Sequence, residues 1–231
     1  MLDKVKADLN TLASPERAKI ISRFFKTGKG DYGEGDVFLG ITVPEQRRIA
    51  RTYSGMALEG LQKLLSSPVH EHRLTALLIL VARYQKANAE GKKEVYAFYL
   101  ENIKHINNWD LVDLTAEKIL GDYLLDKDKS PLYRLVRSKN LWERRMAILT
   151  TYRFIKNDHF EDTFHISEIL MHDKHDLIHK AVGWMLREVG KRNQDAEEQF
   201  LLKYYKKMPR TMLRYAIERF EEKRRSFYLK T

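Results

Sequence analysis

The sequence has no cysteine, and it has only 5 prolines and 11 glycines in 231 residues. The absence of cysteine excludes disulfide frameworks, thiolate metal sites, iron–sulfur clusters and cysteine nucleophiles, and it suits a reducing compartment. The longest apolar run, residues 74–82, is far too short to span a bilayer. The first residues also lack a signal-peptide pattern. We therefore expect a cytoplasmic globular protein of one large domain or two small ones, and we take residues 1–231 as a single domain.

The net charge of +10 is distributed unevenly along the chain. Residues 201–231 carry 10 basic and 3 acidic side chains, whereas residues 1–200 carry 32 basic and 29 acidic ones. Tyr204, Tyr205 and Tyr215 lie among the basic residues. A basic segment with interspersed aromatics suits a polyanion such as nucleic acid, although a solvated surface helix can have the same composition.

Prolines stand where helices are expected to begin. The pairs Ser14-Pro15, Ser67-Pro68 and Ser130-Pro131 each place a capping residue before a proline at the first helical position. No segment shows a sustained period of two, and the hairpin dipeptides Asn-Gly and Asp-Gly are absent. The apolar pattern predicts an all-α protein with helices over residues 15–26, 44–53, 57–65, 68–84, 91–103, 108–124, 131–138, 141–156, 164–171, 176–191, 195–206 and 209–226.

A short motif, one basic residue followed by small and apolar residues, recurs along the chain. It begins at Arg73, Arg145, Lys180 and Arg214, at intervals of 72, 35 and 34 residues. Half of the first interval places a missing copy near Trp109, where an indole and carboxylates replace the basic residue. Helix pairs repeating about every 35 residues predict a compact HEAT-like solenoid, in which equivalent residues line one curved face.

The segment Gly28-Lys-Gly30-Asp-Tyr-Gly33 has the letters of a dinucleotide-binding fingerprint. The fingerprint requires a preceding strand, but the segment before it is a predicted helix. We interpret residues 27–36 as a flexible loop between two helices, open to a role as a lid or a DNA contact, and expect no nucleotide cofactor.

His172, His175 and His179 are spaced as metal ligands on a helix can be. The simpler interpretation is that Asp173 or Asp176 caps a helix whose exposed first turns carry the histidines. Since no fourth ligand is evident, we expect no metal.

Trp109 and Asp113 form the most informative pair in the sequence. Their i, i+4 spacing places them on the same helix face, which leaves Leu111, Val112 and Leu114 on the sides that can pack. An acid beside an indole on a face otherwise suited to burial is costly unless it is paired or lies in a groove.

Two interpretations of Asp113 stay open. One is an ion pair with Arg145 of a neighbouring repeat; the other is a carboxylate held in a cationic, aromatic-walled groove. Trp184 and Arg187 would supply a second indole and a second cation to that groove.

Four blocks of the chain, in order, resemble the DNA alkylation repair family, the AlkD-type glycosylases. The resemblance implies a right-handed α-α superhelix of HEAT-like helix pairs that grips duplex DNA in a concave groove and excises cationic N3- and N7-alkylated purines. The blocks are Phe38-Leu-Gly-Ile-Thr-Val-Pro44-Glu-Gln-Arg47-Arg48, Trp109-Asp-Leu-Val-Asp113, Trp142-Glu-Arg-Arg145-Met-Ala-Ile-Leu and Lys180-Ala-Val-Gly-Trp184-Met-Leu-Arg187-Glu188.

The resemblance also implies roles for residues in these blocks. By motif position, Asp113 resembles the catalytic carboxylate, Trp109 and Trp184 resemble the indoles against the sugar of the lesion, and Arg145 resembles a phosphate-binding arginine. The remaining expected contacts to DNA are Arg187, Lys180, Arg214, Arg47, Arg48 and Phe24.

The sequence thus predicts a monomeric DNA glycosylase that needs no cofactor and acts on double-stranded DNA containing alkylated bases. Two alternatives remain. One is a non-catalytic member of the same scaffold that binds nucleic acid or a partner protein. The other is a HEAT-like protein–protein adaptor, which predicts a more neutral C-terminal segment than the one present.

Overall fold

Helices make up the regular structure of the protein in the computed structural model, which describes residues 1–230. These residues contain no β-strand. Val37 and Val69 form an isolated parallel β-bridge outside any strand. None of their helices has the length and apolarity needed to cross a membrane. The all-α prediction is therefore confirmed. The chain divides into two compact units, Met1–Thr115 and Ala116–Thr231, and the single domain over 1–231 stays a prediction.

The first unit is built around the apolar run near residue 77, which forms the centre of a long buried helix. Residues 73–81 of that helix are all buried, and five other helices of the unit pack against it. The helices are α1 (Leu2–Thr11), α2 (Pro15–Phe24), α3 (Val43–Thr52), α4 (Leu58–Leu65), α5 (His70–Lys86), α6 (Ala89–Glu101) and α7 (Trp109–Asp113). Sequence reasoning missed α1, whose i, i+4 pair Val5 and Leu9 is fully buried.

The second unit centres on a helix that packs against neighbours on both sides. This helix, α12 (Asp176–Gly190), contacts α10 (Leu141–Ile155) and α14 (Arg210–Ala216). Gly183 permits the close approach to α14, because a Cβ there would overlap the backbone carbonyl of Met212. The helices are α8 (Asp122–Leu124), α9 (Ser130–Leu135), α10 (Leu141–Ile155), α11 (Glu161–Leu170), α12 (Asp176–Gly190), α13 (Gln194–Tyr204), α14 (Arg210–Ala216) and α15 (Glu222–Leu229).

Two predicted helices are interrupted, so the prediction of continuous helices over 108–124 and 209–226 is wrong. The first ends at Asp113, where the Thr115 hydroxyl bonds back to the Leu111 carbonyl at 2.5 Å, and a π-helical turn, Glu117–Gly121, follows. The second breaks at Phe220, which is extended (φ −72°, ψ 150°) and packs its ring edge-on against Tyr228 at 5.8 Å. In each case local side-chain bonding or aromatic packing overrides the helical periodicity.

Of the three serine–proline starts, the one at Ser14-Pro15 is confirmed. The cap predicted at Ser130 is wrong, because α9 begins at Ser130 itself, after Lys129. Ser14 caps α2 ahead of Pro15. The helix predicted over residues 44–53 is α3, which begins at Val43 after a capping box of Thr42 and Glu45. The start predicted at Ser67-Pro68 is wrong, because α5 begins at His70. The Ser67 hydroxyl instead accepts from the Val69 N–H and bonds His72 Nδ1.

Three of the four copies of the repeated motif fall at matching helical positions. Arg145, Lys180 and Arg214 are each the fifth residue of α10, α12 and α14, whereas Arg73 is the fourth residue of α5. Asp113 is the fifth residue of α7. The repeat in the sequence therefore corresponds to a repeat of helices, with a carboxylate replacing the cation in one copy.

Candidate active site

The short helix α7 presents Trp109 and Asp113, and local bonding fixes where it begins. The Asn108 side chain accepts from the Trp109 N–H at 2.8 Å and caps the helix. Leu111 and Val112 are fully buried, as their positions in the sequence predicted. Trp109 and Asp113 are half-buried, which leaves part of each side chain open to a ligand.

Asp113 acts electrostatically on a buried tyrosine. Burial raises the pKa of the Tyr99 hydroxyl, its hydrogen bond with Thr115 opposes that rise, and the nearby charge of Asp113 adds to it. The Tyr99–Thr115 bond (2.7 Å) is fully buried and holds the residues that directly follow α7. Asp113 is thus carried at the end of a helix whose exit from the core is fixed.

Trp109 belongs to an aromatic platform, which we define as Phe24, Phe25, Phe38 and Trp109. Trp109 stacks on Phe25, with ring centroids 4.9 Å apart at an interplanar angle of 7°. Phe25 in turn lies 5.1 Å from Phe38. Phe24 meets Trp109 edge-on at 5.8 Å and remains 66% exposed. Phe24, the predicted DNA contact, is therefore the part of the platform that solvent reaches most, whereas Phe25 is its buried support.

A buried polar group, here named the His70 cluster, lies against this platform. His70 Nδ1 is 3.0 Å from Asp36 Oδ2, and His70 Nε2 is 2.8 Å from Asp110 Oδ2. Arg73 donates to Asp36 Oδ1 at 2.6 Å, and Asn108 donates to Asp36 Oδ2 at 3.1 Å. The cluster thus joins the end of the glycine-rich loop, the start of α5 and the start of α7.

The pKa values in the cluster are shifted in opposite directions. Burial opposes protonation of His70, but the charge and hydrogen bond of Asp110 and the hydrogen bond of Asp36 raise the pKa of the imidazole to about 9. Burial of Asp36 is outweighed by the His70 hydrogen bond and the Arg73 charge, which lower the pKa of its carboxyl. The cluster therefore favours a positively charged His70 ring beside a negatively charged Asp36 carboxylate at neutral pH.

Sequence reasoning missed this cluster. It gave His70 no role, and it left open what the loop at residues 27–36 does. His70, Asp36 and Asp110 are separated by more than thirty residues, so no local spacing connects them. The available signal was a histidine at the start of the most apolar helix, where a buried imidazole needs partners.

In the second unit, Trp184 lies in a polar surrounding. Its indole N–H donates to Glu188 at 3.1 Å, and the Tyr152 ring lies 6.0 Å away. Arg187 pairs with Glu218 and lies 3.7 Å from Glu188. The predicted indole and cation are therefore both present on α12, with acidic partners.

The other predicted cations differ in exposure. Arg145 is buried, and its guanidinium donates to the Leu177 carbonyl at 2.5 Å. Lys180 pairs with Asp176 at 2.7 Å. Arg214 on α14, like Arg47 and Arg48 on α3, is exposed. The role of all these cations in binding phosphate stays a prediction.

The histidines near residue 175 bond locally. His175 itself caps α12, with Nδ1 accepting from the Leu177 N–H at 3.1 Å, so the prediction that Asp173 or Asp176 is the cap is wrong. Asp173 instead bonds Arg144 at 2.6 Å. Within residues 1–230, no group of three or more histidine, aspartate or glutamate side chains is placed to hold a metal ion.

Comparisons with known proteins give a family from the sequence and a fold from the structure. The sequence profile described as "DNA alkylation repair enzyme" matches residues 5–220. The fold is similar to that of a predicted DNA alkylation repair enzyme from Enterococcus faecalis, with a TM-score of 0.69, 18% identity, and coverage of 91% of this chain and 97% of that one. It is also similar to AlkD2 from Streptococcus mutans, with a TM-score of 0.58, 18% identity, and coverage of 89% and 99%. No curated protein sequence matches.

Proposed function

Because the chain belongs to the DNA alkylation repair enzyme family, we propose that it hydrolyses the N-glycosidic bond of cationic N3- and N7-alkylated purines in duplex DNA. The observation that carries this proposal is the pairing of Asp113 with Trp109. Both side chains are half-buried on one short helix, and Trp109 is held by the aromatic platform. A carboxylate beside an aromatic face suits a cationic reaction centre.

The reaction needs little general acid catalysis. The alkylated purine already carries a positive charge, so the base departs as a neutral molecule when its bond to the sugar breaks. The sugar then develops oxocarbenium character, which the Asp113 carboxylate stabilises electrostatically while it orients the attacking water. Water adds to the anomeric carbon and loses a proton, and an abasic site remains. No metal or cofactor takes part in this scheme.

Binding of the duplex rests on the exposed cations and on Phe24. Arg47 and Arg48 on α3 and Arg214 on α14 are exposed, and each would neutralise a phosphate. Lys180 and Arg187 would exchange their acidic partners for phosphate. In this proposal one molecule of the protein acts on one lesion.

The test is release of 7-methylguanine from alkylated duplex DNA under single-turnover conditions. Asp113→Asn removes the charge and keeps the shape of the side chain, so the rate constant should fall by about 100-fold or more while DNA affinity is retained. The matched control is Asp126→Asn, which removes a carboxylate charge from an exposed position and should release base like the wild type.

Two results would contradict the proposal. Wild-type release rates in Asp113→Asn would remove Asp113 from the chemistry. DNA binding without base release by the wild-type protein would favour a non-catalytic nucleic-acid-binding scaffold instead.

A further inference from the structure

The His70 cluster is sequestered from solvent. Side-chain exposure is 2% for His70, 4% for Asp36 and 9% for Asp110. A neutral imidazole donates from one nitrogen only, whereas an imidazolium donates from both. Since each ring nitrogen faces a carboxyl oxygen, both hydrogen bonds can form at once to ionised carboxylates only when the ring is charged.

The cluster grips the residues on either side of Trp109. Asp110 follows Trp109 directly, accepts from His70 with one carboxylate oxygen and receives the Leu111 N–H at 2.8 Å with the other. Asn108 precedes Trp109 and donates to Asp36. The start of α7 is therefore tied to the cluster through the two residues that flank Trp109.

The cluster also fixes the glycine-rich loop at its last residue, Asp36. The Val37 N–H donates to the Pro68 carbonyl at 3.2 Å, and the His70 N–H donates to the Val37 carbonyl at 2.8 Å. Asp36 itself bonds Arg73 and His70. The loop that sequence analysis left without a role thus ends in the same buried group that holds α7.

The imidazole is part of the support of the aromatic platform. Its ring stacks on Phe38, with centroids 4.6 Å apart at 23°, and lies 5.1 Å from Phe25. Phe25 carries the stacked Trp109 ring. A displacement of His70 would therefore reach Trp109 by two routes, through Asp110 and through Phe25.

We infer that His70 is a positioning residue, which holds Trp109 and Asp113 in place for base excision by clamping Asp110 of α7 and Asp36 of the loop with one imidazolium ring. This inference rests on the proposed function. The ring is too deeply buried, and both of its nitrogens are too fully engaged, for it to touch a DNA substrate.

The clamp depends on pH in a defined direction. The charged groups that face the ring are Asp36 from the loop, Asp110 from α7 and Arg73 from its own helix. Loss of the ring proton, at a pH near 9, removes the donor that the ring gives to one of the two carboxylates and leaves that carboxylate facing a lone pair of the ring. The start of α7 should loosen as pH rises through that value.

The chain contains 3 tryptophans, so 5-fluorotryptophan labelling gives three fluorine resonances, of which Trp109→Phe identifies one. In the wild type, the Trp109 resonance should titrate with a midpoint near the pKa of about 9. His70→Gln should shift that resonance at neutral pH and abolish the titration. The resonances of Trp142 and Trp184, which lie in the other unit, should remain unchanged.

The matched control is His72→Gln. His72 is also buried on α5, but its ring bonds Ser67 rather than α7, so the Trp109 titration should persist. Asp36→Asn provides a second test that does not require loss of the ring. It removes one of the two carboxylates that raise the pKa of His70, so the midpoint should move to lower pH.

Base release completes the test. His70→Gln should lower the single-turnover rate by about 100-fold, the scale of a small misplacement of reacting groups, with wild-type DNA affinity. A Trp109 resonance that ignores pH and is identical in His70→Gln would overturn the clamp, as would a wild-type rate in that variant. If the wild type releases no base while the Trp109 titration follows His70, the proposed function fails and the clamp on α7 stands.

Discussion

The ring of Trp109 lies almost parallel to that of Phe25, 4.9 Å away, while Phe24 touches the same indole edge-on. Two consecutive phenylalanines at the end of α2 thus serve one tryptophan in different ways. Phe25 is buried, at 8% exposure, and Phe24 is 66% exposed. This difference in exposure assigns support of the indole to Phe25 and leaves Phe24 available for contact with a ligand.

Alanine substitutions should separate these two roles. Phe25→Ala deletes a buried ring that contacts both Trp109 and Phe38, so the free energy of unfolding should fall by about 3 kcal/mol. Phe24→Ala should leave stability within about 0.5 kcal/mol and weaken binding of alkylated duplex by about fivefold, the scale of one aromatic contact. Urea unfolding and a binding titration measure the two effects. Equal losses of stability in both variants would contradict this division.

Arg214 and Arg145 occupy equivalent positions in the repeat, but their alanine variants should differ in stability. Arg214 is exposed, so Arg214→Ala should reduce the slope of log affinity against log salt by about one unit without changing stability. Arg145 was also predicted to bind phosphate, and its alanine variant should reduce the slope similarly. Because its guanidinium bonds the Leu177 carbonyl, Arg145→Ala should also lower the free energy of unfolding by about 1–3 kcal/mol.

Comparison of the two salt slopes decides the role of Arg145. A reduced slope in Arg214→Ala together with a wild-type slope in Arg145→Ala would assign Arg145 to structure alone. Wild-type slopes in both variants would remove both residues from the DNA interface.

The parts of the fold that depend on neighbouring residues could be predicted from the sequence. The cap at Ser14, the capping box at Thr42 and the burial of Leu111 and Val112 each follow from spacings of a few residues. The repeated basic residue predicted matching helical positions, because a repeat in sequence becomes a repeat of supersecondary structure.

The parts that depend on distant residues could not be predicted. Asp36, His70 and Asp110 meet only after α5 and α7 have packed. Tertiary contacts of this kind override the local periodicity on which sequence interpretation relies. The loop at residues 27–36 could be recognised as a loop, but its anchoring through Asp36 could not.

Glu197 on α13 should make the stability of the protein depend on pH. Its side chain is buried and one carboxyl oxygen has no hydrogen-bond partner. Burial, together with the charge of Glu198, raises its pKa to about 9, although Arg187 opposes the rise. The folded protein therefore keeps a proton that the unfolded chain releases once the pH exceeds the ordinary value of 4.5. Unfolding should become easier as pH rises through this window, because the unfolded state then binds fewer protons.

Glu197→Gln removes this dependence, since the amide cannot ionise. The free energy of unfolding of the wild type, relative to that of the variant, should fall as pH rises from about 4.5 and level off near 9, with a loss on the order of 3 kcal/mol by neutral pH. Urea unfolding at several pH values measures it. Glu101→Gln, at an exposed position of the first unit, is the control and should track the wild type at every pH. A difference between wild type and Glu197→Gln that stays constant with pH would show that Glu197 is ionised in the folded protein.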